Sequence, residues 1–254
     1  MLEKHPMSRP PLPGSDRRWA LFLDLDGTLV ELVDHPDAIE LNTAARTRLE
    51  ALSQRLDGAL ALISGRAMED LDRHVQLPGL AMSGQHGAEW RESGGEPRVA
   101  SAHQQALDSL RNRLQPLLER HEALMLENKG ASLALHYRQN PELGDVIAPE
   151  LERLVGEHTS VLEMHHGKFV YEIKGTGYDK GVAIERFMAL PLFHGRIPVF
   201  IGDDRTDEDG FRAIGAHDGI AIKVGDGDTS APWRLEGPAE VHRWLSEWLE
   251  QLKR

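Results

Sequence analysis

The sequence predicts an α/β protein: a parallel-sheet core interrupted by a smaller, inserted α+β module. Three observations carry this. Short continuous apolar runs at Trp19–Leu23, Ala59–Ile63, Ile197–Ile201 and Gly219–Val224 read as strands buried on both faces of a parallel sheet. The first three stop abruptly in polar or acidic residues, where ligands bind in open α/β sheets. The middle third alternates instead, at Ser132–Arg138 and Lys168–Lys174, which suits a sheet covered on one face only.

Taken in order, residues 1–18 contain Pro6, Pro10, Pro11, Pro13 and Gly14 and are expected to form a loose tail. After the first strand, Leu49, Leu52 and Leu56 recur at helical spacing across 42–56, with Asn42 or Thr43 as candidate caps. A helix is expected over Met68–Val75 and a long polar one over 103–121. In the next strand Leu133, Leu135 and Tyr137 share a face opposite Ala134, His136 and Arg138. A helix fits 144–157, and His165-His166 before Gly167 reads as a turn. Phe169, Tyr171 and Ile173 then oppose Val170, Glu172 and Lys174. Pro238–Leu252 closes the chain as a helix with Val241, Leu245, Trp248, Leu249 and Leu252 in one apolar stripe. The expected division is a core of residues 1–102 plus 175–254, with 103–174 as the insert.

Composition narrows the function. A formal net charge of -12 over 254 residues argues against nucleic acid or an anionic membrane as partner. It also repels anionic substrates at long range, so any phosphate site must be built locally. The absence of cysteine excludes disulfides, thiolate nucleophiles and Cys-based zinc sites. The 13 histidines show no zinc-ligand spacing beside a supporting carboxylate motif. The N-terminal stretch has no apolar h-region and no run reaches membrane-span length, so a cytoplasmic protein is expected.

Four segments could carry chemistry. Asp24-Leu25-Asp26-Gly27-Thr28 follows the first buried strand, and i, i+2 spacing in extended chain brings its carboxylates to one side. Neighbouring carboxylates repel unless a cation intervenes, which divides them into a metal-held nucleophile and a protonatable partner. The competing reading is an acidic cap of the following turn. A calcium-binding loop fails, because Leu29 stands where its glycine is needed. Gly202-Asp203-Asp204-Arg205-Thr206-Asp207-Glu208-Asp209 packs five acids into seven positions, a need met by a hard cation such as Mg²⁺ or, more plainly, by solvation and a helix cap at Thr206 or Asp207. Lys180 follows Asp179, a candidate N-cap, and lies at the positive end of a helix unless an anion reverses that sign. Ser64-Gly65-Arg66 is a polar stop that is either a simple turn or an anion-binding one.

In this order, Asp24-x-Asp26-Gly27-Thr28, Ser64, Lys180 and Gly202-Asp203-Asp204-x-x-Asp207 resemble the four-motif set of the haloacid dehalogenase-type phosphatases. The resemblance implies a Rossmann-like parallel-sheet core with an inserted cap. It implies Asp24 as nucleophile, Asp26 as general acid/base, and Ser64 and Lys180 as ligands of the transferred phosphoryl group. Mg²⁺ would be held by Asp24, Asp203 and the main-chain carbonyl of Asp26, with Asp204 and Asp207 ordering the metal shell or Lys180. No rival nucleophile is apparent.

Further segments are similar to trehalose-6-phosphate phosphatases: Ile63-Ser64-Gly65-Arg66, Gly84-Gln85-His86-Gly87, Glu127-Asn128-Lys129-Gly130, Leu135-His136-Tyr137-Arg138 and Tyr171-Glu172-Ile173-Lys174-Gly175. That resemblance implies sugar contacts from Glu127, Lys129 and Glu172 in the cap, with Arg66, His86 and Gly87 lining the core side. Charged groups make charge-assisted hydrogen bonds to a disaccharide's hydroxyls, although polar outward faces are also the norm for such strands. The expected partner is a small sugar phosphate, with a trehalose-phosphate synthase as candidate protein partner of a monomer. Two alternatives stand: a related phosphatase for sucrose, glucosylglycerol or mannosylglycerate phosphate, and a silent sugar-phosphate-binding module that regulates a synthase. Retention of Asp24, Asp26 and Lys180 weighs against the last.

Overall fold

The computed structural model describes residues 9–33, 39–158 and 160–253, without the side chains of Ser101 and Ala102. The chain divides into two compact units, Met1–Pro97 with Asp179–Arg254, and Arg98–Tyr178.

The first unit is the parallel-sheet unit. Its elements are β1 (Trp19–Leu23), α1 (Thr43–Arg55), β2 (Leu60–Ile63), α2 (Met68–Val75), β3 (Ala81–Gly84) and β4 (Glu89–Arg91). The second unit opens with a two-residue strand, β5 (Arg98–Val99), and α3 (Ser101–Arg120). It continues through β6 (Met125–Asn128), β7 (Ser132–His136), α4 (Leu143–Gly156), β8 (Leu162–Gly167) and β9 (Val170–Gly175). The chain then returns to the first unit with α5 (Lys180–Met188), β10 (Ile197–Gly202), α6 (Glu208–Ala216), β11 (Ile220–Val224), β12 (Trp233–Leu235) and α7 (Pro238–Leu252).

In the first unit the strands lie in the order β12-β11-β10-β1-β2-β3-β4. All pairs are parallel except β3 with β4. Every residue of β1 is buried, as the unbroken apolar run requires of a central strand. From β1 the chain builds outward to β2 and β3 on one side and returns to β10 on the other, so the order reverses between β1 and β10. Such a reversal opens a crevice at the carboxyl ends of the strands. Asn42 caps α1, its side chain accepting from the Ala45 N–H at 2.9 Å, and Asp179 caps α5 through the Val182 N–H at 2.8 Å.

The second unit has its own sheet, in the order β6-β7-β9-β8 and antiparallel throughout. Leu133, Leu135, Tyr137, Tyr171 and Ile173 face α3 and α4 residues such as Leu110, Leu114, Ile147 and Leu151 in a separate apolar cluster.

Two expectations need correction. His165 and His166 belong to β8 rather than to a turn; the reversal comes two residues later, at Phe169 with φ +63°. The loose tail lies outside the described residues as far as residue 8, but residues 9–14 are pinned. Trp244 donates to the Pro10 carbonyl at 3.3 Å, Gln251 to Pro13 at 3.2 Å, and Arg9 pairs with Glu247 at 2.8 Å. Prolines without N–H groups leave carbonyls that α7 side chains can satisfy, so a Pro-rich segment packs as an extended strap.

Candidate active site

The reversal point places Asp24, one residue past β1, beside Asp203, one residue past β10. The backbone around them is tightly wound. The Leu25 carbonyl receives the N–H groups of Thr28, Leu29 and Val30, and Gly27 takes φ +70°. A Cβ on Gly27 would lie 2.0 Å from Asp203 Oδ2, so only glycine lets that carboxylate approach. Gly202 serves likewise, since its Cβ would lie 2.3 Å from Asp207 Cγ.

Lys180, the first residue of α5, is buried and donates to Asp24 Oδ1 at 2.7 Å and to Asp207 Oδ1 at 2.6 Å. The second oxygen of Asp207 accepts the Asp204 N–H at 2.8 Å. Asp24 Oδ2 makes a long contact with Thr28 Oγ1, at 3.5 Å, and the Asp203 carboxyl is also within hydrogen-bonding reach of Asp24. Carboxylate oxygens of Asp24, Asp203 and Asp207 lie within 4.8 Å of one another. Burial pushes the Asp24 carboxyl well above the ordinary carboxylate range, with Lys180 pulling it back and Asp207 adding to the rise. Burial and then Asp207 raise Asp203 as well. Burial draws the Lys180 ammonium down, but Asp24 and Asp207 outweigh it and hold the group above the usual lysine range, fully charged. One ammonium cannot balance three converging carboxylates, so the cluster requires a further cation or a shared proton. An all-oxygen, carboxylate donor set of this size fits a hard divalent cation such as Mg²⁺.

A cavity of about 550 Å³ opens over this cluster, lined by Asp24, Asp26, Ser64, Arg66, His86, Lys180, Asp203 and Asp204, among others. Asp26 is held by Arg66 in a bidentate pair, Nε to Oδ2 at 2.6 Å and a terminal nitrogen to Oδ1 at 2.7 Å. Ser64 is buried and its Oγ accepts the Arg66 N–H at 3.1 Å. Gln85, His86 and Gly87 all have positive φ, at 44°, 54° and 111°, a local strain that seats the His86 ring against Gly65. Arg186 steadies this turn by donating to the Gly87 carbonyl at 2.7 Å while stacking over Trp90. Asp204 does not turn toward the cluster: its Oδ1 accepts the Arg205 N–H at 2.6 Å, capping the turn that leads into α6. Asp207, one of the two residues expected to cap the helix, occupies the N-cap position of α6, and Asp204 caps the short turn before it.

Glu127, Lys129 and Glu172 lie in the second unit. Glu127 on β6, Ala134 on β7, Glu172 on β9 and His165 on β8 occupy one row across the sheet, so the two glutamates share its polar face. His136 bonds Glu127 at 2.9 Å. Lys129 lies in the turn beyond β6, its N–H donating to the Ser132 carbonyl at 2.9 Å.

The chain matches the model of the trehalose-phosphatase family over residues 22–239. It is 38% identical to a trehalose-6-phosphate phosphatase of Escherichia coli K12, over 92% of this chain and 87% of that protein. The chain belongs to the trehalose-phosphatase family. A probable trehalose-phosphate phosphatase of Sinorhizobium fredii is 36% identical, over 82% of this chain and 78% of its own. A solved trehalose-6-phosphate phosphatase of Aspergillus fumigatus superimposes with TM-score 0.67 at 28% identity, covering 92% of this chain and 94% of that one. The family fold is the haloacid dehalogenase type, and its members are phosphoric monoester hydrolases. Among the described residues no helix is long and apolar enough to cross a membrane.

Sequence reasoning did not single out Arg186, which braces the His86 turn, or Lys223, whose Nζ donates to the Asp203 carbonyl. Arg186 leaves no signal, since a charged residue on a helix is ordinary. Lys223 leaves one: it interrupts the apolar run of β11, Ile220-Ala221-Ile222-Lys223-Val224.

Proposed function

We propose that this trehalose-phosphatase family member hydrolyses trehalose 6-phosphate to trehalose and phosphate, with Asp24 as nucleophile. The observation that carries the reading is the buried Lys180 clasped between Asp24 and Asp207 where the strand order reverses. An ammonium held there keeps Asp24 oriented through its Oδ1. Asp24 and Asp203 are the residues best placed to hold Mg²⁺. Asp207, with both oxygens engaged by Lys180 and the Asp204 N–H, organises them instead. When bound, the cation supplies charge neutralisation for the transferring phosphoryl oxygens.

Asp24 attacks phosphorus, the phosphorus–sugar oxygen bond breaks, and Asp26 gives its proton to the leaving oxygen. Asp26 then takes a proton from the water that attacks the aspartyl-phosphate, and the phosphorus–Asp24 bond breaks. Arg66 holds Asp26 in place, and a guanidinium at this position is also a natural partner for a phosphoryl oxygen. Ser64 and Lys180 offer further donors to the phosphoryl group. Recognition of the sugar hydroxyls is assigned to the polar row of Glu127 and Glu172 with Lys129, and to His86 and Gly87. A trehalose-phosphate synthase supplies the substrate in this reading, and the cytoplasm is its setting.

The test is phosphate release from trehalose 6-phosphate beside glucose 6-phosphate, sucrose 6-phosphate and p-nitrophenyl phosphate, with and without Mg²⁺. Preference for trehalose 6-phosphate that disappears in Asp24→Asn and without metal is the expected result. Preference for another ester keeps the nucleophile but overturns the sugar assignment. No release from any ester overturns both.

A further inference from the structure

Lys223 is 5% exposed, in a strand otherwise apolar, and its Nζ donates to two main-chain carbonyls, those of Asp203 and, at 2.9 Å, Val224. Burying an ammonium is costly unless its position is used, and a leucine or methionine would pack in such a strand without that cost. Its use is visible in the peptide between Asp203 and Asp204. The carbonyl of that peptide is held by Lys223, and its N–H is held by Asp207 Oδ2 at 2.8 Å. Asp207 Oδ1 accepts from Lys180 at 2.6 Å, and Lys180 reaches Asp24 Oδ1 at 2.7 Å. One continuous series of hydrogen bonds therefore runs from β11 through the acidic loop to the nucleophile.

We propose that Lys223 is a positioning residue: by fixing the 203–204 peptide from the side opposite Asp207, it turns the Asp203 carboxylate onto Asp24 and sets the affinity of the site for a divalent cation. Clamped at both ends, the peptide fixes the backbone at Asp203 and with it the point from which the side chain reaches toward Asp24. This rests on the divalent-cation part of the proposed function.

Geometry and charge make opposite predictions here, which makes the inference testable. Removing a nearby positive charge by itself strengthens cation binding. Loosening an outer partner of a ligand weakens it, by about 10–100-fold in comparable sites. Mn²⁺ alone, a spectroscopic stand-in for Mg²⁺ at oxygen ligands, is titrated without substrate into the whole protein and followed by electron paramagnetic resonance. Lys223→Met is expected to bind at least tenfold more weakly than wild type. Lys223→Gln, which keeps a donor without the charge, is expected to fall between the two. Melting curves without metal show whether each variant is folded; if Lys223→Met is not, weaker binding by Lys223→Gln carries the same conclusion. Unchanged or tighter binding in a folded variant overturns the role of Lys223. A wild-type protein that binds no Mn²⁺ overturns the metal reading itself, so the two failures are distinguishable.

Discussion

Replacing Lys180 with methionine keeps the length of the side chain but leaves Asp24, Asp203 and Asp207 facing one another without their bound ammonium. Lys180 donates at 2.7 and 2.6 Å to two acids that are 3% and 0% exposed, so solvent cannot take over its role. Breaking a buried pair by removing one partner costs about 3–5 kcal/mol. At roughly 2–4 °C per kcal/mol for a chain of this size, the melting temperature should fall by about 10 °C. The loss must depend on pH. In the wild type, Lys180 sits above its ordinary range, so the stability it contributes is intact below the ordinary lysine value and lost only in strong alkali. Asp24 is raised by burial, and such a group stabilises when protonated and loses that contribution as pH rises through its folded value. Without Lys180 that rise becomes larger. The deficit of Lys180→Met relative to wild type should therefore be greater at about pH 8 than at about pH 5.5, because Asp24, raised further without Lys180, is more readily protonated at the lower of the two. Melting curves of both proteins in chelator at the two pH values measure this. An equal deficit at both pH values, or none at either, would refute the claim that Lys180 neutralises this cluster.

Further outcomes follow from the same geometry. Gly27→Ala forces a left-handed backbone and a Cβ 2.0 Å from Asp203 Oδ2, and should cost about 1–3 kcal/mol in melting experiments while abolishing Mn²⁺ binding. Glu172→Gln should raise KM for trehalose 6-phosphate at least about tenfold, the worth of a hydrogen bond to a charged group. Turnover of p-nitrophenyl phosphate, which has no sugar, should be unchanged; equal effects on both substrates would remove Glu172 from sugar recognition. Arg186→Ala, which frees the Gly87 carbonyl and the strained Gln85–Gly87 turn, should lower kcat/KM for the sugar ester more than for p-nitrophenyl phosphate.

The parts of this structure that were legible in the sequence are those where one local rule decides the outcome. Trp19–Leu23 reads as a central strand because burial on both faces leaves no place for a polar residue. Asn42 and Asp179 read as caps because their side chains satisfy helix N–H groups within three residues. The acidic motifs read as a site because so many adjacent carboxylates need a cation. The illegible parts depend on distant partners. β3 and β4 are Ala-Met-Ser-Gly and Glu-Trp-Arg, with no strand-like pattern, and they hold because tertiary contacts engage most of their polar groups. Glu89 accepts the Met68 N–H at 2.6 Å, the Ser83 hydroxyl donates to the Glu89 carbonyl at 3.0 Å, and Arg91 pairs with Asp72 at 2.7 Å. β8 was hidden because Phe169, a residue rarely found at positive φ, makes the turn that His165-His166-Gly167 had suggested. How Asp204 and Asp207 divide their work was equally hidden, since it depends on which oxygen meets Lys180 and which meets a backbone N–H.

That division implies an order of events. A net charge of -12 disfavours approach of a phosphate dianion, though screening over about 8–10 Å at physiological salt leaves the decision to the groups at the site. There the incoming anion meets three converging carboxylates, two of them buried, against which Lys180 is already committed and Arg66 is engaged by Asp26. The cluster must gain positive charge before it can accept a phosphate. Inorganic phosphate should therefore bind to the Mg²⁺-loaded protein at least about a hundredfold more tightly than to the chelated one, since each unit charge removed at close range is worth several kcal/mol at an effective dielectric of about 20. Calorimetric titration of phosphate with and without Mg²⁺ measures the ratio, and linkage requires phosphate to tighten Mg²⁺ by the same factor. Equal affinities in the two states would mean that Lys180 and Arg66 suffice to hold the anion, and the ordered scheme would fail.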